Sequence, residues 1–175
     1  MTFSIVGPTS GTLLTMLGIA LVLGLVATAI WDKREDHPFS AWLGLAAVIV
    51  VNSGILFLFA TMPFAKVVFH DQHLEVDVPI YGRDIAFESI LVSEARLVDL
   101  EEHEGYRLLW RTNGLRVPNY SFGWFQLYRQ GSALVVMREN AHVLFIPTKQ
   151  GFGLLLQLEH PEEFLDKLNS VNGDA

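Results

Sequence analysis

Two groups of side chains have types and spacings that could bind a metal ion. His70 and His73 flank Asp71 in a short polar segment, and imidazole and carboxylate groups are common metal ligands. A zinc site needs three or four ligands, and no further nitrogen or carboxylate stands at an obvious spacing. Glu101, Glu102 and Glu104 could attract a cation, but a solvated turn is the simpler interpretation of both segments. We predict no metal site.

A second kind of chemistry would need a nucleophile and a base. Ser121 and Ser132 are potential nucleophiles, and His142 and His160 are potential bases. Their order and spacing match no recognisable set of nucleophile, base and orienting group. The chain has no cysteine, which excludes thiolate chemistry and disulfides. We predict no catalytic residues and no cofactor.

The most unusual stretch is residues 113–125, which combines turn-forming residues with four aromatic side chains. The candidate interaction surface consists of Arg111, Arg116, Tyr120, Phe122, Trp124 and Phe125. Such a surface could hold a protein, a peptide or the lipid interface, with arginine stacked on the rings. The alternative is a long structured loop whose aromatic side chains fill the end of a small β-domain. Both interpretations stay open at this point.

The chain is 51% hydrophobic, and its N-terminal third contains two long apolar runs. Residues 11–31 are uncharged, and a second uncharged run extends from Ser40 to Met62. About 20 helical residues cross the ~30 Å hydrocarbon core of a bilayer. We predict transmembrane helices over residues 11–31 and 41–62. The short charged loop 32–39 forces them into an antiparallel hairpin.

The small and polar residues of these runs suggest how the helices pack. Ala20, Gly24 and Thr28 form a stripe at helical spacing, which predicts a close approach of the second helix. Incidental small residues in a lipid-facing sequence are the alternative. Asn52 could form a hydrogen bond with the first helix or with another protomer. Neither run contains Asp, Glu, Lys, Arg or His, so we expect an anchor rather than an ion or proton path.

A cleaved signal peptide is the alternative interpretation of the first run. Residues 27–29 have small side chains at the spacing of a signal cleavage site. However, residues 1–10 contain no Lys or Arg, and the apolar run is long for the core of a signal peptide. We therefore prefer the transmembrane helix.

The orientation in the membrane depends on a few basic residues. Lys33 and Arg34 lie in the loop between the helices, and Lys66 follows the second helix. The positive-inside rule places the loop in the cytoplasm and both termini on the external or periplasmic side, by a margin of about one charge. We expect a multi-pass protein of the inner cell membrane, and the side of its soluble domain stays open.

From residue 63 the pattern changes to short strands. Residues 74–78 alternate apolar and acidic side chains, as a half-buried strand does. The other expected strands cover residues 67–69, 84–87, 91–100, 106–110, 124–128, 133–137, 143–146 and 153–158. Pro161 opens an amphipathic helix over residues 161–171. The predicted fold is an N-terminal tail (1–10), a two-helix transmembrane hairpin (11–62) and a mainly-β barrel or sandwich capped by one C-terminal α-helix (63–175).

Four segments in a fixed order resemble a family of bacterial membrane-anchored proteins with pleckstrin-homology-like (PH-like) domains. They are residues 111–120, 123–125, 143–148 and 161–164. The resemblance covers roughly the last 110 residues. It implies a strand meander closed by a C-terminal helix, and the family has no agreed enzymatic activity. Eukaryotic PH domains bind phosphoinositides through a basic loop; here the matching loop, residues 70–73, lacks Lys and Arg, so we do not expect that ligand.

The charge of the chain narrows the class of partner. Its net charge is −7, and the part from residue 63 onward contains 10 Lys and Arg residues and 16 Asp and Glu residues. An acidic surface argues against nucleic acid as a partner. We expect a non-enzymatic membrane-anchored module for protein interaction or self-assembly, whose partners are the lipid bilayer and either another protein or further copies of the chain. An accessory subunit of a membrane transport or channel complex and a hydrolytic enzyme are the alternatives.

Overall fold

The computed structural model describes residues 1–35, 38–139 and 142–173. Its helices and strands are β1 (Thr2–Ser4), α1 (Ser10–Asp32), α2 (Pro38–Thr61), β2 (Lys66–Phe69), β3 (His73–Asp77), β4 (Arg83–Ala86), β5 (Arg96–Asp99), β6 (Leu108–Val117), β7 (Tyr120–Leu127), β8 (Gly131–Met137), β9 (His142–Pro147), β10 (Phe152–Leu156) and α3 (Pro161–Gly173). We call β1 together with β2 to α3 the β domain. The predicted fold class, two apolar helices followed by a mainly-β domain with a C-terminal helix, is confirmed.

The helices α1 and α2 are each long and apolar enough to cross a membrane. They pack as an antiparallel pair, since Ile30 of α1 lies against Gly44 of α2 while Met16 and Ile55 line the same small gap at the other end. Thr9 caps α1 by accepting a hydrogen bond from the Thr12 amide. The two helices therefore form a hairpin with both open ends at the β domain.

The packing stripe that we predicted on α1 is wrong for two of its three residues. A side chain at Gly24 would meet open space, and Thr28 is exposed with its hydroxyl donating to a main-chain carbonyl oxygen 2.8 Å away. The less exposed positions of α1 instead follow spacings of four and three residues. From Met16 onward they are Met16, Ala20, Leu23, Ala27 and Ile30. This spacing keeps one face of a straight helix against its neighbour, and Ala20 belongs to it.

The first sheet is antiparallel with strand order β1-β2-β3-β4. Strand β1 pairs with β2, so Phe3 lies opposite Val67. The first ten residues, which we expected to form a tail, thus contain an edge strand. A strand of three residues with one buried side chain is too short to show a period of two. Because β1 precedes α1 and β2 follows α2, the helical hairpin is inserted between two neighbouring strands.

The second sheet has the strand order β5-β9-β10-β8-β7-β6. Its pairs are antiparallel except β8 and β10, which run parallel with Leu134 opposite Leu154. The simple meander that we predicted is therefore wrong at this point. Strand β9 forms a hairpin with β10 and pairs on its other side with β5, which leaves β10 free to lie beside β8.

The C-terminal helix closes the core between the two sheets. Phe164 and Leu168 of α3 are fully buried. The Phe164 ring lies 5.1 Å from the ring of Phe3 and 4.9 Å from the ring of Phe69. These three rings join α3 to the two strands that flank the helical hairpin. Edge-on and tilted ring pairs contribute packing energy beyond their buried area.

The second sheet is apolar on both faces. Its outer face carries a separate core cluster of Val98, Tyr106, Phe125, Leu127, Ala133, Val135, Met137, Val143, Phe145 and Leu155. The segment between β5 and β6 covers this cluster, and the Tyr106 ring packs edge-on against Phe145 at 4.9 Å. Neighbouring residues of one strand can therefore both be buried, which an alternating pattern does not predict.

Candidate functional site

The unusual stretch 113–125 forms a β-hairpin rather than a long loop. Strands β6 and β7 pair along most of their length, and Val117 lies opposite Tyr120 across a two-residue turn. Asn119 in that turn has a φ of 62°, in the left-handed region that asparagine tolerates better than most residues. The loop that we considered for this stretch is therefore wrong. Register shifts within the hairpin break the alternation that would reveal two strands.

Two glycines let the hairpin backbones come together at its centre. Gly114 lies opposite Gly123, and both have positive φ angles, of 151° and 113°. A Cβ atom at Gly123 would lie 2.6 Å from the carbonyl oxygen of Asn113. The ring of Tyr81 covers this point, and its hydroxyl donates a hydrogen bond to Asn113 Oδ1 at 3.0 Å. Tyr81 thus fixes the turn after β3 to the hairpin.

Three of the predicted surface aromatics lie in the core. Tyr120, Phe122 and Phe125 are at most 1% exposed, so they cannot form an interaction surface. The first two face the core between the sheets and Phe125 faces the outer cluster. Because both faces of the second sheet are covered, side chains that point to either face of the sheet from β7 are buried. Burial raises the pKa of the Tyr120 hydroxyl, and nearby Arg138 offsets this in part.

The arginine stacking that we expected occurs on Trp124, but with an arginine from another strand. Trp124 is half-buried, its ring packs edge-on against Phe152 at 5.3 Å, and the guanidinium of Arg83 lies 4.8 Å from the ring centre. The predicted partners Arg111 and Arg116 are both exposed. Arg83 lies on β4, far from the hairpin in sequence, so no local pattern could have indicated it.

Strand β6 presents a free edge to its surroundings. It lies at the end of the second sheet and pairs only with β7 among the described strands. Four consecutive residues, 110–113, are exposed, and Trp110 is 58% exposed. An edge strand offers unpaired main-chain donors and acceptors to another strand. We expected Trp110 only as the end of a strand, and the sequence does not show that its ring faces solvent.

A groove of about 340 Å³ lies along this hairpin. It is lined by Leu100, Glu101, Arg107, Leu108, Arg116, Ser121, Met137 and Glu139. Arg116 and Glu139 form an exposed ion pair at 3.9 Å across it. The Ser121 hydroxyl is buried without a hydrogen-bond partner among the described residues. The groove therefore combines apolar walls with charges of both signs, which suits a mixed polar and apolar side chain.

Residues 65–172, more than half of the chain, match the family described as Bacterial PH domain. The chain belongs to the bacterial PH-domain family. The resemblance that the sequence motifs indicated is confirmed. The match begins after α2, so β1 and both helices of the hairpin lie outside it. No curated protein and no solved structure matches the chain.

The loop between the first two matched strands of the PH domain holds the histidine pair. The rings of His70 and His73 stack 4.5 Å apart, and His70 Nε2 lies 2.7 Å from a carboxylate oxygen of Glu75. Within the described ranges, no three His, Asp or Glu side chains come together as metal ligands would. The histidines thus contact each other and one neighbouring carboxylate.

The helical hairpin and the PH domain meet through specific contacts at the start of α1. Thr12 is fully buried, and its hydroxyl donates a hydrogen bond to the carbonyl oxygen of Pro118 at 3.1 Å. Arg138 Nε donates to the carbonyl oxygen of Gly7 at 2.9 Å. The turn of the β6–β7 hairpin and the end of β8 therefore lie at the entry of α1.

The end of α2 meets the turn after β3. Phe57 and Thr61 line a groove of about 250 Å³ together with Pro79 of that turn. Next to this groove, Phe64 is 77% exposed and Ile80 is 68% exposed. Ile80 has a φ of 69°, which is rare for a β-branched residue. The end of the PH domain nearest the helices thus carries two large exposed apolar side chains.

Proposed function

We propose that the chain is a membrane-anchored, non-enzymatic PH-domain module that holds a protein partner at the free edge of β6. The observation that supports this most directly is the unpaired outer edge of β6 with the exposed indole of Trp110 beside it. An extended segment of a partner can add to such an edge through main-chain hydrogen bonds, while its side chains occupy neighbouring pockets. The groove lined by Arg107 and Arg116 is the pocket available here.

The membrane anchor is supported by the hairpin and by the surface around it. Both helices have the length and composition of membrane spans, and their apolar side chains are largely exposed. Phe64 and Ile80 lie where the hairpin leaves the PH domain, and apolar side chains are favoured at a bilayer interface. Two connections and the Thr12 hydrogen bond hold the domain close to the hairpin.

The geometry of the groove supports a proposal without a catalytic role. Ser121 is the only serine or threonine among the described residues that line it, and no described base accepts a hydrogen bond from its hydroxyl. Among the residues that the structure describes, no histidine lines the groove. A serine nucleophile needs a base within hydrogen-bond reach, and the described residues place none there.

The test uses photo-crosslinking residues placed in the full chain within its native membrane. A crosslinker at Arg111, on the exposed edge of β6, should capture a defined partner. The matched position is Asp84, which is exposed on β4 at the edge of the other sheet, and it should capture little. Trp110→Ala should lower the yield at position 111 roughly tenfold, as expected for a buried aromatic anchor of an interface. Because Trp110 is exposed in the free chain, its removal should leave the unfolding midpoint unchanged.

Equal capture at both positions, or capture that does not depend on Trp110, would contradict binding at this edge. The anchor is tested separately in the same membranes. The chain should resist alkaline extraction, and reporters fused after Ala175 and within loop 32–38 should lie on opposite sides of the bilayer. Reporters on the same side would contradict the two-span anchor.

A further inference from the structure

Most hydroxyl groups of the two helices are satisfied within the chain. The threonine donors are Thr12, Thr15, Thr28 and Thr61. Each donates to a main-chain carbonyl oxygen at 2.8 to 3.1 Å. A threonine bonded in this way adds no unpaired polar group to a helix in lipid. The hairpin therefore shows how its polar residues can be made compatible with an apolar solvent.

Asn52 and Ser53 do not follow this pattern. They lie in the central part of α2, and neither side chain has a hydrogen-bond partner among the described residues. Asn52 is half-buried beside α1, whose facing positions are apolar and include Ala20 and Leu23. The first helix therefore offers no group to the Asn52 carboxamide. An unpaired polar group costs several kcal/mol in the hydrocarbon core, so such residues usually find a partner there.

We infer that Asn52 forms the contact between two copies of this chain in the membrane. A carboxamide carries both an acceptor oxygen and an NH2 donor, so two identical carboxamides can satisfy each other. A twofold axis places a residue near its own equivalent in the partner, as this exchange requires. The chemistry of Asn52 thus favours a second copy over a different protein, which would need a matching polar group of its own.

The surroundings of Asn52 fit a helix-to-helix contact. Ile49 lies one turn before Asn52 and Leu56 one turn after it, on the same side of α2, and both are exposed. Both side chains flank the row of α2 residues that faces α1, so the half-buried Asn52 lies at the edge of the contact between the two helices. Interacting membrane helices usually pack apolar side chains on each side of a central interhelical hydrogen bond. The inference rests on the proposed membrane anchor and adds self-assembly to it.

Pairing through α2 would affect the PH domains because both ends of each hairpin lead directly into them. Two PH domains would lie side by side on one face of the membrane, each with its free β6 edge. A partner with two binding segments would then bind the pair more tightly than a single domain, through effective concentration. The contact in the membrane thereby supports the proposed interaction at the surface.

The test exploits the absence of cysteine from the chain. Single cysteines are introduced into the full chain, which is reconstituted in phosphatidylcholine vesicles and oxidised. Leu56→Cys, on the face of Asn52, should give a disulfide-linked dimer. Val51→Cys is the matched control, because Val51 is also exposed but lies on the other flank of α2. It should give little dimer.

The role of the carboxamide is then measured by energy transfer between labelled chains at increasing lipid dilution. Asn52→Leu should weaken dimerisation roughly 5- to 30-fold, the range for interhelical hydrogen bonds in model peptides. Asn52→Gln keeps the carboxamide and should restore most of the association. Association that is unchanged in Asn52→Leu overturns the inference, because apolar packing alone would then account for it.

The remaining outcomes separate this inference from the proposed function. A chain that stays in the vesicles but remains monomeric overturns the inference and leaves the anchor intact. A chain that alkali removes from the vesicles overturns both. If crosslinking of Leu56→Cys chains in native membranes captures another protein and no second copy, the inference is also overturned, and the accessory-subunit alternative is favoured.

Discussion

The helical hairpin and the PH domain use the same apolar residue types in opposite ways. Val50 of α2 is 70% exposed, whereas Leu134 and Leu154 of the second sheet are fully buried. In the PH domain two sheets and α3 supply apolar neighbours for these side chains, and in the hairpin only one other helix does so. Hydrophobicity alone therefore does not determine burial, and the two regions suit different surroundings.

The sharpest test of this comparison is one substitution made in both regions. Phe164→Ala removes a fully buried ring that contacts Phe3 and Phe69, and should lower the free energy of unfolding of the PH domain by about 3–5 kcal/mol. Phe39→Ala removes a ring of α2 that is 83% exposed. This substitution should change the free energy of unfolding of the PH domain by less than about 0.5 kcal/mol. Chemical denaturation of the full chain in detergent measures both. Similar losses in the two variants would show that the regions are not distinct.

A second comparison uses glycine, because the two regions employ it for different reasons. Gly123→Ala should destabilise the PH domain by about 2 kcal/mol or more, because the new Cβ atom meets the Asn113 carbonyl oxygen and φ is positive. Gly24→Ala adds its Cβ in open space on α1 and should leave the midpoint of PH-domain unfolding unchanged. The same denaturation experiment compares them. A midpoint for Gly123→Ala equal to that of the unsubstituted chain would show that the hairpin can relax around the added methyl group.

The smallest expected effect concerns a polar atom inside the PH domain. The Tyr120 hydroxyl is buried without a hydrogen-bond partner among the described residues. Tyr120→Phe should therefore stabilise the domain by about 1–2 kcal/mol at neutral pH. The exposed Tyr128 provides the control, since Tyr128→Phe should have no measurable effect. Destabilisation by Tyr120→Phe would show that the hydroxyl makes a favourable interaction.

The same variant should change the alkaline limit of stability. Burial raises the pKa of Tyr120 in the folded chain, while the unfolded chain keeps the ordinary value of about 10. Above that pH the unfolded chain loses the proton and the folded chain keeps it, so the unfolded state is favoured and stability falls. Tyr120→Phe should make this fall less steep in unfolding experiments between neutral pH and the alkaline limit. If the fall of stability with pH is unchanged in Tyr120→Phe, other groups cause the loss of stability at alkaline pH. Tyr81 is one such group, because burial also raises its pKa.

The sequence predicted those parts of the fold that depend on local patterns. Long uncharged runs indicated both helices, and Pro161 with its apolar face indicated α3. Strand β1, the parallel pairing of β8 with β10 and the β6–β7 hairpin were not predicted. Each depends on residues far apart in the chain or on register shifts, which a period of two does not record.

The candidate site shows the same limit more clearly. The sequence drew attention to an aromatic-rich stretch, but aromatic content does not tell a core face from a surface face when both faces of a sheet are covered. Trp110 lies on the free edge while Tyr120 and Phe125 lie in the two cores. The strand order places β6 at the edge, and the packing of the first sheet against the second brings Arg83 over Trp124. Both are properties of the whole fold.

If the hairpin is the proposed membrane anchor, its insertion between β1 and β2 has a consequence for biosynthesis. Strand β1 is made first, but its neighbour β2 leaves the ribosome only after both helices. If only one helix crossed the bilayer, β1 and β2 would emerge on opposite sides and could not pair. The edge of the first sheet, with the ring of Phe3 against Phe164, can form only when the hairpin has crossed an even number of times. Completion of the β domain, which includes β1, would thereby act as a check on correct membrane topology.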